Sequence, residues 1–243
     1  MPDFSVDFRG RTAIVAGAGS GAARAIARAL AAAGANVFVN DQNPDRVDAV
    51  VDEIRAAGGS AAGMQGDITN RFQVAAMIEN ARDAFGRIHY LVNGAGVFKA
   101  EPLLAMDEWD WRRQIEVNVI GAFFCTQLVA RVMADEGGGS ILHLSSTVGN
   151  PYTLERGVGY VAGKAGMVAM ARQAARELAP AGVRVNALLL GHIAEDDMPT
   201  VTNPTNALQR AGHVEEVANA ALFLLSDAAS FITGAAVPVD GGG

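Results

Sequence analysis

The sequence is poor in cysteine and in unbroken apolar runs. Cys125, the single cysteine, lies in the stretch GAFFCTQLVA, which predicts a buried core position. One thiol excludes an intrachain disulfide framework. With no signal-peptide pattern evident, this predicts a cytoplasmic protein. We find no apolar run of the roughly 18 residues that span a bilayer, so no membrane segment is expected.

Basic residues and grouped histidines are also scarce. Lysine and arginine number 19 against 26 acidic residues, a net charge of −7, which argues against a nucleic-acid partner. The sequence places its four histidines, His89, His143, His192 and His213, far apart and without metal-ligand spacing, so no metal is expected. Half of the residues are hydrophobic, which predicts a large core.

Strand-like and helical stretches alternate along the whole chain. Short apolar runs such as TAIVAGAG, NVFVND, IHYLVNGAG and SILHLSS alternate with helical stretches such as GAARAIARALAAAG and VEEVANAALFLLSD. Seven strands alternating with six helices predict an α/β fold with a parallel sheet covered on both faces. No linker is visible, so we expect a single domain over residues 1–243.

A glycine-rich stretch, AGAGSGAA, follows the first predicted strand. Gly17, Gly19 and Ala22 fit the dinucleotide-binding fingerprint, and Gly17, Gly21 and Ala23 fit a second form of this loop. Small residues here let the backbone approach a pyrophosphate at a helix N-terminus. The alternative is that they only pack the helix against the strand.

An acidic residue, Asp41, ends the second predicted strand, twenty residues beyond Gly21. This is the place for a carboxylate that accepts hydrogen bonds from the adenosine ribose. A carboxylate also repels a 2′-phosphate, and no basic residue adjoins it in the sequence. Asp41 therefore favours NAD over NADP, the alternative being a helix cap.

A phenol and an ammonium are spaced for one helix face in the stretch GYVAGKAG. Tyr160 and Lys164 are four residues apart, at the start of a predicted helix. A free phenol is a poor base at neutral pH, and a nearby ammonium stabilises the phenolate. The pair predicts an acid/base group, the alternative being a solvated surface pair.

The order and spacing of these motifs resemble the single-domain short-chain dehydrogenases/reductases over essentially the whole chain. AGAGSGAA is similar to the family's TGxxxGxG, with Ala16 replacing the threonine and Ala23 the last glycine. The stretches GDIT, NGAG, VNVIG, LSSTVG, YVAGK and ITGAAVPVDGG resemble further family segments. The resemblance implies a Rossmann-type doubly wound fold, with a seven-stranded parallel sheet between two helix layers.

The resemblance also implies roles for individual residues. Tyr160 would be the general acid/base, and Lys164 would bind the nicotinamide ribose. Ser146 would orient the substrate oxygen, and Asn118 would hold a water that links Lys164 to solvent. The implied cofactor-binding residues are Gly17, Ser20, Gly21, Ala22, Asp41, Asp67, Ile68, Asn93, Ala95, Gly96, Tyr160, Lys164, Gly191 and Ile193.

The segment after the sixth predicted strand departs from the family. Leu190 replaces the usual proline, and three acids, Glu195, Asp196 and Asp197, begin where a threonine is common. Residues 192–209, the family's substrate lid, are shorter than usual. This predicts an open site, a large substrate or help from a neighbouring subunit. We expect the lid to be mobile and its three acids to face solvent.

These features predict an NAD-dependent oxidoreductase that interconverts a secondary alcohol and a ketone. One alternative is a 3-oxoacyl-[acyl-carrier-protein] reductase that uses NADPH. The other is a non-catalytic NAD-binding member of the family. The resemblance implies a homotetramer, in which helices near residues 107–134 and 160–178 pair with their twofold copies.

Overall fold

The computed structural model describes residues 6–149, 152–194 and 206–243. The main sheet consists of seven strands, β1 (Thr12–Ala16), β2 (Asn36–Asp41), β3 (Ser60–Gln65), β4 (Tyr90–Asn93), β5 (Gly139–Ser146), β6 (Val183–Leu190) and β9 (Ala236–Val239). All seven are parallel, and they lie in the order β3-β2-β1-β4-β5-β6-β9. The predicted Rossmann-type α/β fold is confirmed. A two-stranded pair that the sequence did not predict joins β7 (Ile193–Ala194) to β8 (Gly212–His213).

Helices connect the strands where the sequence predicts them. The helices are α1 (Gly21–Ala32), α2 (Pro44–Ala56), α3 (Arg71–Phe85), α4 (Glu108–Ile115), α5 (Ala122–Asp135), α6 (Val158–Leu178) and α7 (Val214–Leu225). Between α4 and α5 the helix continues as a π-helix, Glu116–Gly121. Short 3₁₀ turns lie at Ala179–Ala181 and Asp227–Ala229. The single long helix predicted here is therefore continuous, but its hydrogen-bond register changes in the middle.

Both faces of the sheet are buried, as a parallel sheet between two helix layers requires. Ala13 and Val15 of β1 pack into the core beneath α1, α2 and α7. Ile14 and Ala16 alternate with them and pack into the core beneath α3, α5 and α6. Side chains point to opposite faces at successive strand positions, so one short apolar run serves both cores.

The strand order reverses between β1 and β4. From β1 the chain proceeds outward through β2 and β3, and it then returns to place β4 on the other side of β1. In open α/β sheets, ligands bind in the crevice beyond the carboxyl ends of the strands at such a switch point. The glycine-rich loop after β1 lies at this crevice, which positions the candidate site.

The statement that no stretch is long and apolar enough to span a bilayer needs correction. The continuous helix Glu108–Asp135 is long and apolar enough, by length and composition, to cross a membrane, with a mean hydropathy of 1.5 over 18 residues. Half of that window is buried within the fold, as in the core helix of a soluble protein.

Cys125 on this helix is fully buried, and burial raises the pKa of its thiol to about 12. The thiol is therefore an unreactive core group, as predicted.

Candidate active site

A cleft of about 560 Å³ lies at the switch point. This volume falls within the range of small-molecule and cofactor sites. Thirteen of the predicted site residues line it: Gly17, Ser20, Gly21, Ala22, Asp41, Ile68, Ala95, Gly96, Ser146, Tyr160, Lys164, Gly191 and Ile193. The other three, Asp67, Asn93 and Asn118, do not line it. The fold therefore brings predicted residues from seven separate parts of the chain into one crevice.

The glycine-rich loop leaves a backbone cradle at the start of α1. Gly17 has φ +73°, and a Cβ placed on it would lie 2.4 Å from the Ala95 nitrogen. Ser20 is the N-cap residue of α1, and its side chain makes no capping hydrogen bond. The N-terminal N–H groups of a helix attract anions. The residues present therefore fit the pyrophosphate of a dinucleotide.

Asp41 closes the outer end of this cradle. Its Oδ2 accepts a hydrogen bond from the Gly19 N–H at 3.0 Å, and its Oδ1 accepts one from the Asn43 N–H at 3.0 Å. The carboxylate thus fixes the loop and still lines the cleft. Arg46 also lines the cleft, and its Cβ lies 2.8 Å from where a Cβ on Gly19 would be. The residues next to Asp41 in the sequence are not basic, but the fold places Arg46 near it.

Asp67 and Ile68 are adjacent in the sequence, but only Ile68 lines the cleft. The Oδ1 of Asp67 accepts hydrogen bonds from the Thr69 N–H and hydroxyl, both at 2.8 Å. The Oδ2 of Asp67 lies 3.5 Å from Arg113, which itself lines the cleft. Asp67 therefore shapes the turn and holds Arg113, and its direct contact with the cofactor stays a prediction.

Asn93 is buried beneath the cleft. Its Nδ2 donates to the Thr126 hydroxyl at 3.1 Å and lies 3.3 Å from the His143 Nδ1. Its Oδ1 has no hydrogen-bond partner in the described part of the chain. Burial, with a smaller contribution from the Lys164 charge, lowers the pKa of His143 to about 4. Asn93 thus ties the sheet to α5, and its predicted cofactor contact remains untested.

The Tyr160–Lys164 pair lies on α6, just after Gly157. The Lys164 side chain is buried, and its Nζ lies 5.6 Å from the centre of the Tyr160 ring. The same Nζ donates a hydrogen bond of 2.8 Å to the Leu144 carbonyl oxygen. Burial lowers the pKa of Lys164 to about 8. The two side chains therefore do not form a solvated surface pair.

Asn118 lies behind the cleft, in the π-helix. A Cβ placed on Gly96 would lie 3.0 Å from the Asn118 Oδ1 and 3.3 Å from the Lys164 Nζ. The Asn118 side chain is fully buried and bonds the Val97 backbone twice: Oδ1 accepts from N–H at 3.2 Å, and Nδ2 donates to the carbonyl at 2.8 Å. These bonds fix the Asn118 side chain against the Val97 backbone, and the water that would link Lys164 to solvent stays a prediction.

Ser146 ends β5 at the inner end of the cleft. Its hydroxyl donates to the Leu190 carbonyl at 3.3 Å and accepts from the Val148 N–H at 3.1 Å. The hydroxyl is thereby oriented on a strand end rather than on a free loop. Beside it, a Cβ on Gly191 would lie 2.5 Å from the Asp240 Cβ, so only glycine fits there.

The cleft is also lined by residues to which the sequence analysis assigned no role there, among them Arg46, Phe98, Arg113 and His192. Phe98 lies two residues after the NGAG stretch, a signal that could have been used. The acids Glu195, Asp196 and Asp197 lie outside the described residues, as does most of the predicted lid. Four residues in the loop before α6, Tyr152, Leu154, Glu155 and Arg156, are exposed and do not line the cleft.

Comparison with known proteins gives full-length matches. The family model for enoyl-(acyl carrier protein) reductase matches residues 17–243. A 3-oxoacyl-[acyl-carrier-protein] reductase of Synechocystis sp. is 40% identical, with 96% of each chain covered. The 7α-hydroxysteroid dehydrogenase of Escherichia coli is 37% identical, covering 96% of this chain and 94% of that protein.

A solved structure agrees with these matches. A 7α-hydroxysteroid dehydrogenase complexed with NADH and 7-oxo glycochenodeoxycholic acid superposes with a TM-score of 0.91 at 36% identity, covering 98% of this chain and 95% of that chain. The sheet, the cleft and the matched motifs thus agree with full-length relatives that act on hydroxyl or keto groups. The chain belongs to the short-chain dehydrogenase/reductase family, as an NAD(P)-dependent oxidoreductase.

Proposed function

We propose that this protein is an NAD-dependent dehydrogenase that interconverts a secondary alcohol and a ketone, with residues 1–243 forming one catalytic domain. The observation that carries this proposal is the position of Tyr160. Its ring lies at the cleft beside the buried Lys164, on the same cleft as the glycine-rich cradle. Ser146, which has no assigned cofactor contact, lines the same cleft, and a non-catalytic NAD-binding protein has no need of its hydroxyl.

The chain's own residues would position the substrate and move its proton. Ser146 orients the substrate oxygen, and Tyr160 takes the hydroxyl proton in oxidation or returns it in reduction. The Lys164 ammonium stabilises the phenolate, because an opposite charge nearby favours the ionised form. Gly17, Ser20 and Gly21 hold the pyrophosphate, and Asp41 holds the adenosine ribose. The dinucleotide, when bound, supplies the hydride chemistry.

Turnover of a panel of secondary alcohols with NAD and with NADP tests the proposal. We expect oxidation with NAD, followed as NADH absorbance, and reduction of the matching ketones with NADH. A protein that binds NAD in calorimetry but turns over no alcohol or ketone would support the non-catalytic alternative.

Cofactor choice depends on Asp41. The double variant Asp41→Ser, Gln42→Arg is expected to shift the ratio of kcat/KM towards NADP by about tenfold or more. It removes a carboxylate that repels the 2′-phosphate and adds a cation that attracts it. Gln42→Arg alone is the control, because it leaves the Asp41 contacts with the loop intact. If the wild type reduces NADP as well as NAD, the role assigned to Asp41 is wrong.

The second candidate function is 3-oxoacyl-[acyl-carrier-protein] reduction with NADPH. Arg46 favours it, because Arg46 lines the cleft and its Cβ and the Asp41 carboxylate both lie beside Gly19. The 40% identical relative carries that name. An Arg46→Gln variant separates the two functions, since it should weaken NADP binding only if Arg46 meets a 2′-phosphate. Wild-type preference for a 3-oxoacyl thioester with NADPH would establish this alternative.

Assembly into a homotetramer remains a proposal, and the long helix supports it. Trp111, Ile120 and Phe123 are large apolar side chains there that stay 38–41% exposed in the single chain. On α6, Met167 and Ala171 are core residues of the single chain and offer no such surface. A second copy of the chain fits the exposed side chains, because burying them together removes apolar area from water.

Sedimentation at micromolar concentration is expected to show a tetramer. Ile120→Glu should convert it to smaller species, because a carboxylate in an apolar interface is costly to desolvate. Phe72→Glu is the matched control, since Phe72 is 86% exposed on α3 rather than on the long helix. A wild type that sediments only as a monomer would exclude this assembly. Cytoplasmic location likewise stays a prediction.

A further inference from the structure

We propose that Phe98 is a specificity-determining residue that supports the apolar body of a bulky substrate, one carrying a ring or similar group next to its reacting carbonyl. This inference rests on the proposed dehydrogenase function. Phe98 lines the cleft, yet 53% of it stays exposed. A large aromatic surface left open beside a reacting group is available to bury part of a ligand.

The backbone that carries Phe98 is fixed on both sides. The residue before it, Val97, makes two hydrogen bonds with the Asn118 side chain. The N–H of Lys99, the residue after it, donates to the Gln114 Oε1 at 3.0 Å. Both amides are buried on the continuous helix Glu108–Asp135, so a rigid element sets the backbone position of Phe98.

A third contact joins this segment to the helix that carries Tyr160. The Gly157 N–H donates to the Glu101 carbonyl at 3.1 Å. A Cβ on Gly157 would lie 2.8 Å from the Phe98 Cε2 and 3.6 Å from the Leu154 Cδ1. Gly157 also has φ +111°, a conformation that side chains disfavour. Glycine at this position therefore leaves room for the ring.

The Phe98 ring is oriented towards the reacting group. Its centre lies 5.1 Å from that of the Tyr160 ring, with the planes at 68°, an edge-to-face arrangement. A substrate whose oxygen meets the Tyr160 hydroxyl would place its carbon skeleton close to this aromatic pair. A small ketone would leave most of the Phe98 surface in water, whereas a fused or extended ring would cover it.

The test compares two ketones that differ by one fused ring, the bicyclic 2-decalone and the monocyclic cyclohexanone. In the wild type we expect kcat/KM to be higher for the bicyclic ketone. In Phe98→Ala the ratio of the two kcat/KM values should fall by about tenfold, mainly because the bicyclic ketone binds less tightly and its KM rises. Turnover of cyclohexanone and the KM for NADH should stay within about twofold, because neither depends on the far surface of the ring.

Phe72→Ala is the matched control, because it deletes the same side chain at an exposed site on α3 that does not line the cleft. Its ratio should equal that of the wild type. An unchanged or higher ratio in Phe98→Ala overturns the proposal. An equal loss of turnover with both ketones also overturns it, since Phe98 would then only support Tyr160. A wild type inactive on both ketones and on the alcohol panel would instead refute the proposed function itself.

Discussion

Replacing Tyr160 by phenylalanine is expected to lower kcat by about 10²–10⁴-fold, the range of a general acid/base group. The variant keeps the ring, so the edge-to-face contact with Phe98 and the packing of α6 should persist. It lacks the only atom proposed to exchange a proton with the substrate. NAD affinity, measured by calorimetry, should change by less than about threefold, because the cradle residues are untouched.

A second tyrosine provides the control for this loss. Tyr90 on β4 packs edge-to-face on Phe8, with ring centres 5.2 Å apart, away from the cleft-lining residues. Tyr90→Phe removes the same hydroxyl from the protein and should leave kcat unchanged. Near-normal turnover in Tyr160→Phe, or an equal fall in Tyr90→Phe, would contradict the role assigned to Tyr160.

Lys164→Met is expected to abolish turnover while leaving the ligand-free protein at least as stable at pH 7. The ammonium is buried, and its Nζ donates a hydrogen bond to the Leu144 carbonyl oxygen. Burial moves the pKa of Lys164 from 10.5 to about 8. That difference corresponds to about 3 kcal/mol of unfavourable free energy while the group is charged. Methionine fills similar space without the charge.

The pH dependence of this comparison has a definite sign. Below pH 8 both the folded and the unfolded wild type hold the Lys164 proton, so the whole cost of the buried charge is present. Between pH 8 and 10.5 the unfolded chain keeps a proton that the folded chain has released, and wild-type stability therefore rises with pH.

Urea unfolding of both proteins at matched pH measures the effect, because other titrating groups cancel in the difference. The free energy of unfolding of the wild type, relative to Lys164→Met, should rise by about 3 kcal/mol from about pH 7 to about pH 10.5. A difference that stays constant over this range would show that the lysine is solvated in the folded protein. Arg176 near the end of α6 provides a control site, since Arg176→Met should give a flat difference.

The architecture could be predicted from the sequence because it depends on local signals. Short apolar runs followed by helical stretches specify parallel strands with crossover helices. The carboxyl ends of such strands meet at one edge of the sheet. Gly17, Asp41, Ser146 and Tyr160 therefore come together without any knowledge of their contacts.

The remaining details depend on pairs of residues that are far apart in the chain. Asn118 bonds Val97 across 21 residues, and Asn93 meets His143 across 50. Arg46 reaches Gly19 only when α2 packs beside the loop. No local pattern encodes such contacts, so the burial of Asn93 and the place of Arg46 could not be predicted. The apolar window of the long helix was missed because polar residues interrupt the run, although its mean hydropathy over 18 residues still reaches 1.5.

The π-helix has a geometric consequence for the long helix that contains it. An α-helix turns by about 100° per residue, and a π-turn accommodates one extra residue without advancing the helix by a full step. The extra residue at Glu116–Gly121 lets Gln114 face the segment around Lys99 while Cys125 and Met133 face the core. The two halves are therefore out of phase with a regular helix. One inserted residue rotates the second half of the helix by about 100° relative to the first, whichever side chain that residue carries.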